Sequence, residues 1–327
     1  MEISIKLLFI FTTTIYHWIS SIIETKIHPP IGERIDIGGY KLHCYCKGEG
    51  SPAVIIDHSL GGIEGYFLIE EIAKLTRVCI YDRAGYGWSD SSPYPRTSQE
   101  MIGELDVLLI KAGIYPPYIL VGNSFGSYNM RLYAHQFPEK IVGIVLTDGL
   151  HESGMLNMPL RLRLLKLFFR SGFVISVWGG FLGIIRILGK MGLFEVIKPE
   201  LRQFNREILQ IVKRSFYQPN HWITMARELA SLSVSSRQLS KAQSLGSIPV
   251  VNIKSSTFFK RSFFTSYLPL KSADRLREEM HAKLLMISTS CREIQASKSS
   301  HFVWIDEPEI IVAAVRDLWE SLQENSS

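Results

Sequence analysis

Acidic side chains are missing from two long stretches of this 327-residue chain: none occurs over residues 153–194, and none over 229–273. Cysteine is equally sparse. The four present, Cys44, Cys46, Cys79 and Cys291, have neither metal-ligand spacing nor the pattern of a disulfide framework. Cys44 and Cys46 lie two apart in a strand-like run and so share one face; all four read as buried or edge thiols, which leaves the redox compartment open. The net charge of +5 comes without a basic run interleaved with aromatics, so nucleic acid is not an expected partner. Internal repeats and low-complexity tracts are also absent. What remains is a chain with 46% apolar residues, enough for a large globular core as one domain or a domain plus an insertion.

The first apolar stretch lies apart from that core. Residues 7–23, "LLFIFTTTIYHWISSII", carry no formal charge. At ~1.5 Å per residue they come just short of a hydrocarbon layer ~30 Å thick, and Ile5 and flanking groups extend them to it. Three threonines, His17 and two serines weaken the hydrophobicity, while Tyr16 and Trp18 suit an interfacial belt. No small-x-small cleavage site precedes "ETKIHPP", so residues 1–26 are expected to be an uncleaved single-pass membrane anchor; a cleaved signal, leaving a secreted or periplasmic protein, and a core or surface helix are the alternatives. Lys6 and Lys26 flank both ends and leave orientation undecided.

Beyond "HPPIGE" strand and helix alternate. Short apolar runs bounded by Gly, Pro or Asp predict strands over residues 34–37, 41–46, 53–57, 78–81, 118–121, 141–147 and 249–253. Over 98–112, Ile102, Leu105, Leu109 and Ala112 recur as the stripe of a helix covering a sheet. A final helix starts with Asp306 as cap, Pro308 in its first turn and Glu309 three residues on, and it buries Ile311, Ala314, Val315, Leu318 and Leu322. This alternation implies a mostly parallel sheet flanked by helices, with an antiparallel hairpin turned by Gly38 and Gly39 at its edge.

One segment breaks the alternation. The acid-free stretch 153–194 sets Arg161, Arg163, Lys166, Arg170, Arg186 and Lys190 among Leu, Ile, Phe and Trp. It reads as part of a helical cap or lid inserted over residues 152–245, between core segments 27–151 and 246–327. Its cations are either simply solvated or, as on basic amphipathic helices, face an anionic membrane.

The chemistry centres on "LVGNSFGSY", where Ser124 stands between Gly122 and Gly126. A strand that turns abruptly into a helix crowds the positions two residues either side of the turn, and glycine relieves that crowding. The serine hydroxyl then projects at a helix N-terminus, where amide N–H groups favour developing negative charge. The strand "PPYILVG" before it and the helix "SFGSYNMRLYAHQF" after it supply the context this turn requires.

With these motifs in order, the sequence resembles the α/β-hydrolase superfamily from about residue 30 to 322, most weakly in the insertion. "GGYKLHCYCKGEGSPAVIIDHSLGG" is similar to the family's opening hairpin, third strand and oxyanion loop, and "YDRAGYGWSD" to the loop after its fourth strand. "LVGNSFGSYNMRLYA" is similar to its nucleophile elbow, and "SSHFVWIDEPEIIVAAV" to its histidine loop and last helix. It looks most like the members with an N-terminal hydrophobic segment. The fold this implies is an α/β-hydrolase fold: a mostly parallel central sheet flanked by helices, with a helical cap and an N-terminal hydrophobic helix.

The resemblance implies a Ser-Asp-His triad. Ser124 would be the nucleophile and His301, before the last helix, the base. The family's usual acid after the strand matching "IPVVNIK" has no counterpart in the acid-free stretch 229–273. Asp148, ending "IVGIVLTD", takes that place, as in some members, with Asp274 the second candidate. The oxyanion hole would use the Phe125 and Leu60 amides, with Ser59 standing where the family commonly has Gly. His58 would support that loop, and Asp82, Arg83, Gly85 and Gly87 would form a structural turn. Superfamily members that open epoxides or remove halides carry Asp at the elbow, so Ser124 argues against both.

A carboxylesterase or lipase-like hydrolase of apolar acyl esters or thioesters follows as the expectation. The partners would be a small-molecule or lipid ester and a membrane, and neither metal nor organic cofactor is called for. An acyltransferase on the same triad, and a non-catalytic binding protein on a hydrolase fold, are the alternatives.

Overall fold

A computed structural model describes residues 2–242, 244–259 and 269–324. Eight strands form one sheet: β1 (Glu33–Asp36), β2 (Lys41–Lys47), β3 (Ala53–Asp57), β4 (Val78–Asp82), β5 (Tyr118–Asn123), β6 (Ile141–Thr147), β7 (Val250–Ser255) and β8 (Cys291–Ala296). Their order across it is β1-β2-β4-β3-β5-β6-β7-β8. The β1–β2 hairpin pairs antiparallel to β4, and every pairing from β4 to β8 is parallel. Strands β3, β4 and β5 are buried along their whole length, because helices cover both faces and their residues are nearly all apolar.

Helices fall where the periodicity puts them. With α1 assigned to Glu2–Ile27, α2 spans Ser98–Lys111 and buries Ile102, Leu105 and Leu109, capped by the Thr97 hydroxyl, which accepts from the Glu100 N–H. Next, α3 (Gly126–Gln136) follows β5 directly. Between β6 and β7 the chain leaves the sheet for α4 (Leu160–Phe181), α5 (Ile184–Lys190), α6 (Arg206–Tyr217) and α7 (Pro219–Leu239), then returns through β7 to α8 (Leu270–Leu284), β8 and α9 (Pro308–Glu324). On α9, Ile311, Ala314, Val315 and Leu318 are buried, and Leu322 packs beside them.

Three expectations need correction. Cys46 and Cys79 form a disulfide rather than remaining thiols, while Cys44 and Cys291 stay free. The two face each other across the antiparallel β2–β4 pair, a register that local spacing does not reveal. Asp306 does not cap the last helix: it closes the short helix Val303–Asp306, and its carboxylate accepts from the Ser300 amide and hydroxyl and from Lys198. Strand β8 was not anticipated, since "CREIQA" is a polar edge strand with little of the apolar alternation that marks the others.

The N-terminal helix is apolar and long enough to cross a membrane, as is α4. Its polar residues are not scattered, however. Thr13, His17, Ser21 and Glu24, spaced four, four and three, form one stripe that docks on α5. The Thr13 hydroxyl donates to the Leu182 carbonyl at 2.8 Å, and the fully buried Arg186 guanidinium reaches His17 Nδ1, the Ser21 hydroxyl and the Glu24 carboxylate. The opposite face exposes Phe11, Ile15, Ile19 and Ile22, and Trp18 lies 6.3 Å from Phe181 of α4.

Candidate functional site

The turn at Ser124 is as tight as the two glycines require. Ser124 has φ +48°, a left-handed conformation rare for a residue with a side chain. A Cβ on Gly122 would lie 2.8 Å from the Gly126 carbonyl oxygen, and one on Gly126 would lie 2.7 Å from the carbonyl oxygens of Asp57 and His58. Only hydrogen at both positions lets α3 start this close to β3.

Three side chains from distant parts of the sequence meet above the carboxyl edge of the sheet. The Ser124 hydroxyl lies 2.8 Å from His301 Nε2, and His301 Nδ1 lies 2.6 Å from Asp148 Oδ2. Phe258, Phe302 and Trp304 surround the imidazole, with ring centroids within 6 Å of it. Asp148 follows β6 with φ +42° and is 1% exposed. Its other oxygen accepts from the Ser255 amide at 3.0 Å, His281 Nε2 at 3.1 Å and Arg277 at 3.2 Å. Burial alone would raise its pKa; hydrogen bonds from His281 and His301 outweigh burial and hold the carboxyl well below the usual range, so it stays an anion. Asp274 is engaged elsewhere, accepting from the Phe258 amide at 2.7 Å and from the Thr257 hydroxyl.

The amides suited to an oxyanion lie beside the serine. Among the described residues neither the Phe125 nor the Leu60 N–H is donated within the protein, and both residues line the cavity that Ser124 and His301 open onto. The Ser59 amide is already given to Glu64, whereas the Leu60 amide next to it has no acceptor among the described residues. His58 supports the loop, its Nδ1 accepting from the Gly65 amide and its Nε2 meeting the Tyr81 carbonyl.

Arg83 has a larger part than a turn residue. Fully buried, it donates to the His58 and Ser59 carbonyls at 2.7 and 2.9 Å, pairs with Asp57 at 2.6 Å, and reaches Glu228 of α7 at 2.9 Å. It thereby clamps the loop that carries Leu60 to both sheet and cap. In the sequence its only signal is a charge inside the otherwise small and aromatic run "RAGYG". His281 and Arg277, on α8, carry no sequence signal at all, since their contacts with Asp148 bridge 133 and 129 residues.

The cavity measures about 240 Å³. Leu150 and Met155 after β6, Leu162 and Phe169 of α4, Leu232 of α7 and Met280 of α8 make its wall almost wholly apolar. Among the described residues no cluster of metal-ligating side chains is present.

Residues 52–174 match the family profile described as alpha/beta hydrolase fold. An epoxide hydrolase, CorEH, superposes with a TM-score of 0.65 at 17% identity, covering 89% of this chain and 98% of that one. The chain has the α/β-hydrolase fold. A second structure, an enol-lactonase from Burkholderia xenovorans LB400, superposes at TM-score 0.60 and 15% identity over 88% of this chain and 99% of its own. At such identities these structures share the fold with this chain. A sequence relative, the probable transporter efuK of Hormonema carpetanum, is 26% identical over 90% of this chain, which spans only 43% of that protein's length.

Proposed function

We propose that the protein is a serine hydrolase that cleaves carboxylic esters of apolar acyl chains. The observation that carries this reading is the hydrogen-bonded series Ser124, His301, Asp148 opening onto an apolar cavity. His301 Nε2 takes the hydroxyl proton as Ser124 attacks the carbonyl carbon. The ionised Asp148 holds the ring with Nδ1–H directed at itself and stabilises the imidazolium that forms. The Phe125 and Leu60 amides receive the negative charge gathering on the carbonyl oxygen. Collapse expels the alcohol with the proton from His301, and water then releases the acid by the same steps in reverse.

The acyl chain lies in the cavity between sheet and cap. In the same reading, α1 and the outward face of α4 seat the protein on a membrane from which a lipid ester reaches the site. That face exposes Leu164, Leu167, Phe168, Ile175 and Trp178, while the inner face of α4 lines the cavity. Retention of α1 is favoured over its cleavage as a signal, because its loss would strip the buried Arg186 of its carboxylate.

Incubation with a fluorophosphonate probe, then with p-nitrophenyl esters of increasing acyl length, tests the proposal. Labelling and turnover that are absent from Ser124→Ala are expected. A folded, detergent-solubilised protein that neither labels nor turns over would contradict it.

A further inference from the structure

Among the described residues the cavity wall holds five charged or ionisable groups, and four of them are satisfied. Asp148 is bonded to His301, His281 and Arg277, and that last residue also faces the cavity. Glu228 is bonded to Arg83 and to the Tyr86 hydroxyl. The fifth is Lys166 of α4. Among the described residues it has no hydrogen-bond or ion-pair partner, and the charges that act on it, those of Arg170 and Arg163, are both cations.

Its own surroundings cannot supply the missing anion. The helix lies in the acid-free stretch 153–194, and among the described residues the only carboxylates on the cavity wall are Asp148 and Glu228, both already engaged. Lys166 is half-buried and lines an apolar cavity, so its ammonium gives up part of its hydration with no partner among the described residues to return it. A ligand bearing an anion would return it, whereas a wholly neutral chain would leave the cation uncompensated.

We propose that Lys166 determines specificity, selecting ester substrates whose apolar chain also carries an anionic oxygen group, a carboxylate or a phosphate. This rests on the cavity being the substrate site of the hydrolase proposed above, and it names the class of substrate that site takes. The anion sits with its oxygens on the Lys166 ammonium, while the chain fills the space between Leu162, Phe169 and Leu232 and the ester carbon meets Ser124.

Binding to the full-length Ser124→Ala protein in neutral detergent is the test, read as displacement of a neutral fluorescent alkyl probe by dodecyl phosphate, dodecanoate and 1-dodecanol. The expected result is displacement by at least one anion at ~10-fold lower concentration than by the alcohol. Lys166→Met brings the anions to within about threefold of the alcohol, and Lys166→Glu reverses the ranking. Arg161→Met, an exposed cation on the same helix outside the cavity wall, keeps the gap. Which anion leads distinguishes a phosphate-bearing substrate from a carboxylate-bearing one. Equal displacement by all three ligands, displacement by none, or an anion preference that survives in Lys166→Met would overturn the proposal; the last would place a carboxylate on the oxyanion amides instead. Because this protein cannot turn over, the ranking stands apart from the esterase reading, which fails on absent fluorophosphonate labelling of Ser124.

Discussion

His301 and Asp148 are 153 residues apart in sequence, and Nδ1 of the one lies 2.6 Å from Oδ2 of the other. The contact exists because β6 and the loop before α9 both end at the carboxyl edge of the sheet, where ligands of open α/β folds collect. If Asp148 orients and stabilises the imidazole, Asp148→Asn lowers kcat/KM for p-nitrophenyl esters by ~10²–10⁴-fold with the fold retained. Turnover within about threefold of the parent would remove Asp148 from the mechanism. Asp274→Asn, which alters a carboxylate engaged with Thr257 and Phe258, is expected to leave kcat/KM within that range.

Stability should fall with acid well before the carboxylates titrate. His221 is 1% exposed, and burial, with a smaller contribution from Arg83, lowers its pKa to about 3. The unfolded chain binds a proton at this residue below pH ~6.5 and the folded protein does not until about 3, so stability is full above ~6.5 and is lost as pH falls through that window. The slope is about 1.4 kcal/mol per pH unit, or roughly 2 kcal/mol by pH 5. Urea unfolding of the detergent-solubilised protein between pH 7.5 and 5 reads it. His151, whose pKa burial also lowers, to about 4, contributes in the same direction, so His221→Leu should reduce the slope by about 1.4 kcal/mol per pH unit, and an unchanged slope would assign the acid sensitivity elsewhere.

Gly126→Ala brings a Cβ to within 2.7 Å of two backbone carbonyls of the β3 end, neither of which can move without displacing the Leu60 loop. A loss of about 1–3 kcal/mol or more is expected from the overpacking. Fluorophosphonate labelling should fall in whatever fraction remains folded, as the elbow shifts against its amides. A variant that labels at the parental rate and melts at the parental temperature would show that the close approach is not required.

The ion pair between Glu24 and Arg186 joins the N-terminal helix to the cap with the guanidinium fully buried. Glu24→Ala leaves that cation without its carboxylate and should cost roughly 1–3 kcal/mol, discounted because the glutamate is partly exposed. Replacing both partners, as in Glu24→Ala with Arg186→Leu, should recover part of the loss. Thermal unfolding of the four proteins of this cycle in one detergent measures the coupling; strictly additive losses would mean that helix and cap are held by apolar contact alone.

The sheet was largely legible because its strands are short apolar runs with sharp boundaries, and β3, β5 and β6 follow those runs closely. Ser124 and His301 were legible from local context, a glycine-flanked turn and a loop before the last helix. Asp148 was legible only through the resemblance, as the place where some members carry their acid when the usual one is missing. What stayed hidden depends on partners far along the chain. Cys46 and Cys79 meet only through strand register, Arg83 finds Glu228 only once the cap has folded back, and β8 carries too little apolar patterning to be recognised. The threonines, histidine and serine of the N-terminal helix look like dilution of a span until Arg186 is set against them.

Helix α4 is at once an inner wall and an outer skin. Each residue turns an α-helix by about 100°, so one residue inserted before Leu162 would rotate the following side chains toward the wrong medium: Leu162 and Phe169 away from the cavity, and residues such as Phe168 toward it. Angular phase is therefore the inherited property at this helix. Many exchanges among Leu, Ile and Phe on its outer side can be absorbed by drift, whereas a single codon gained or lost would recast the cavity lining and the protein's outer surface together.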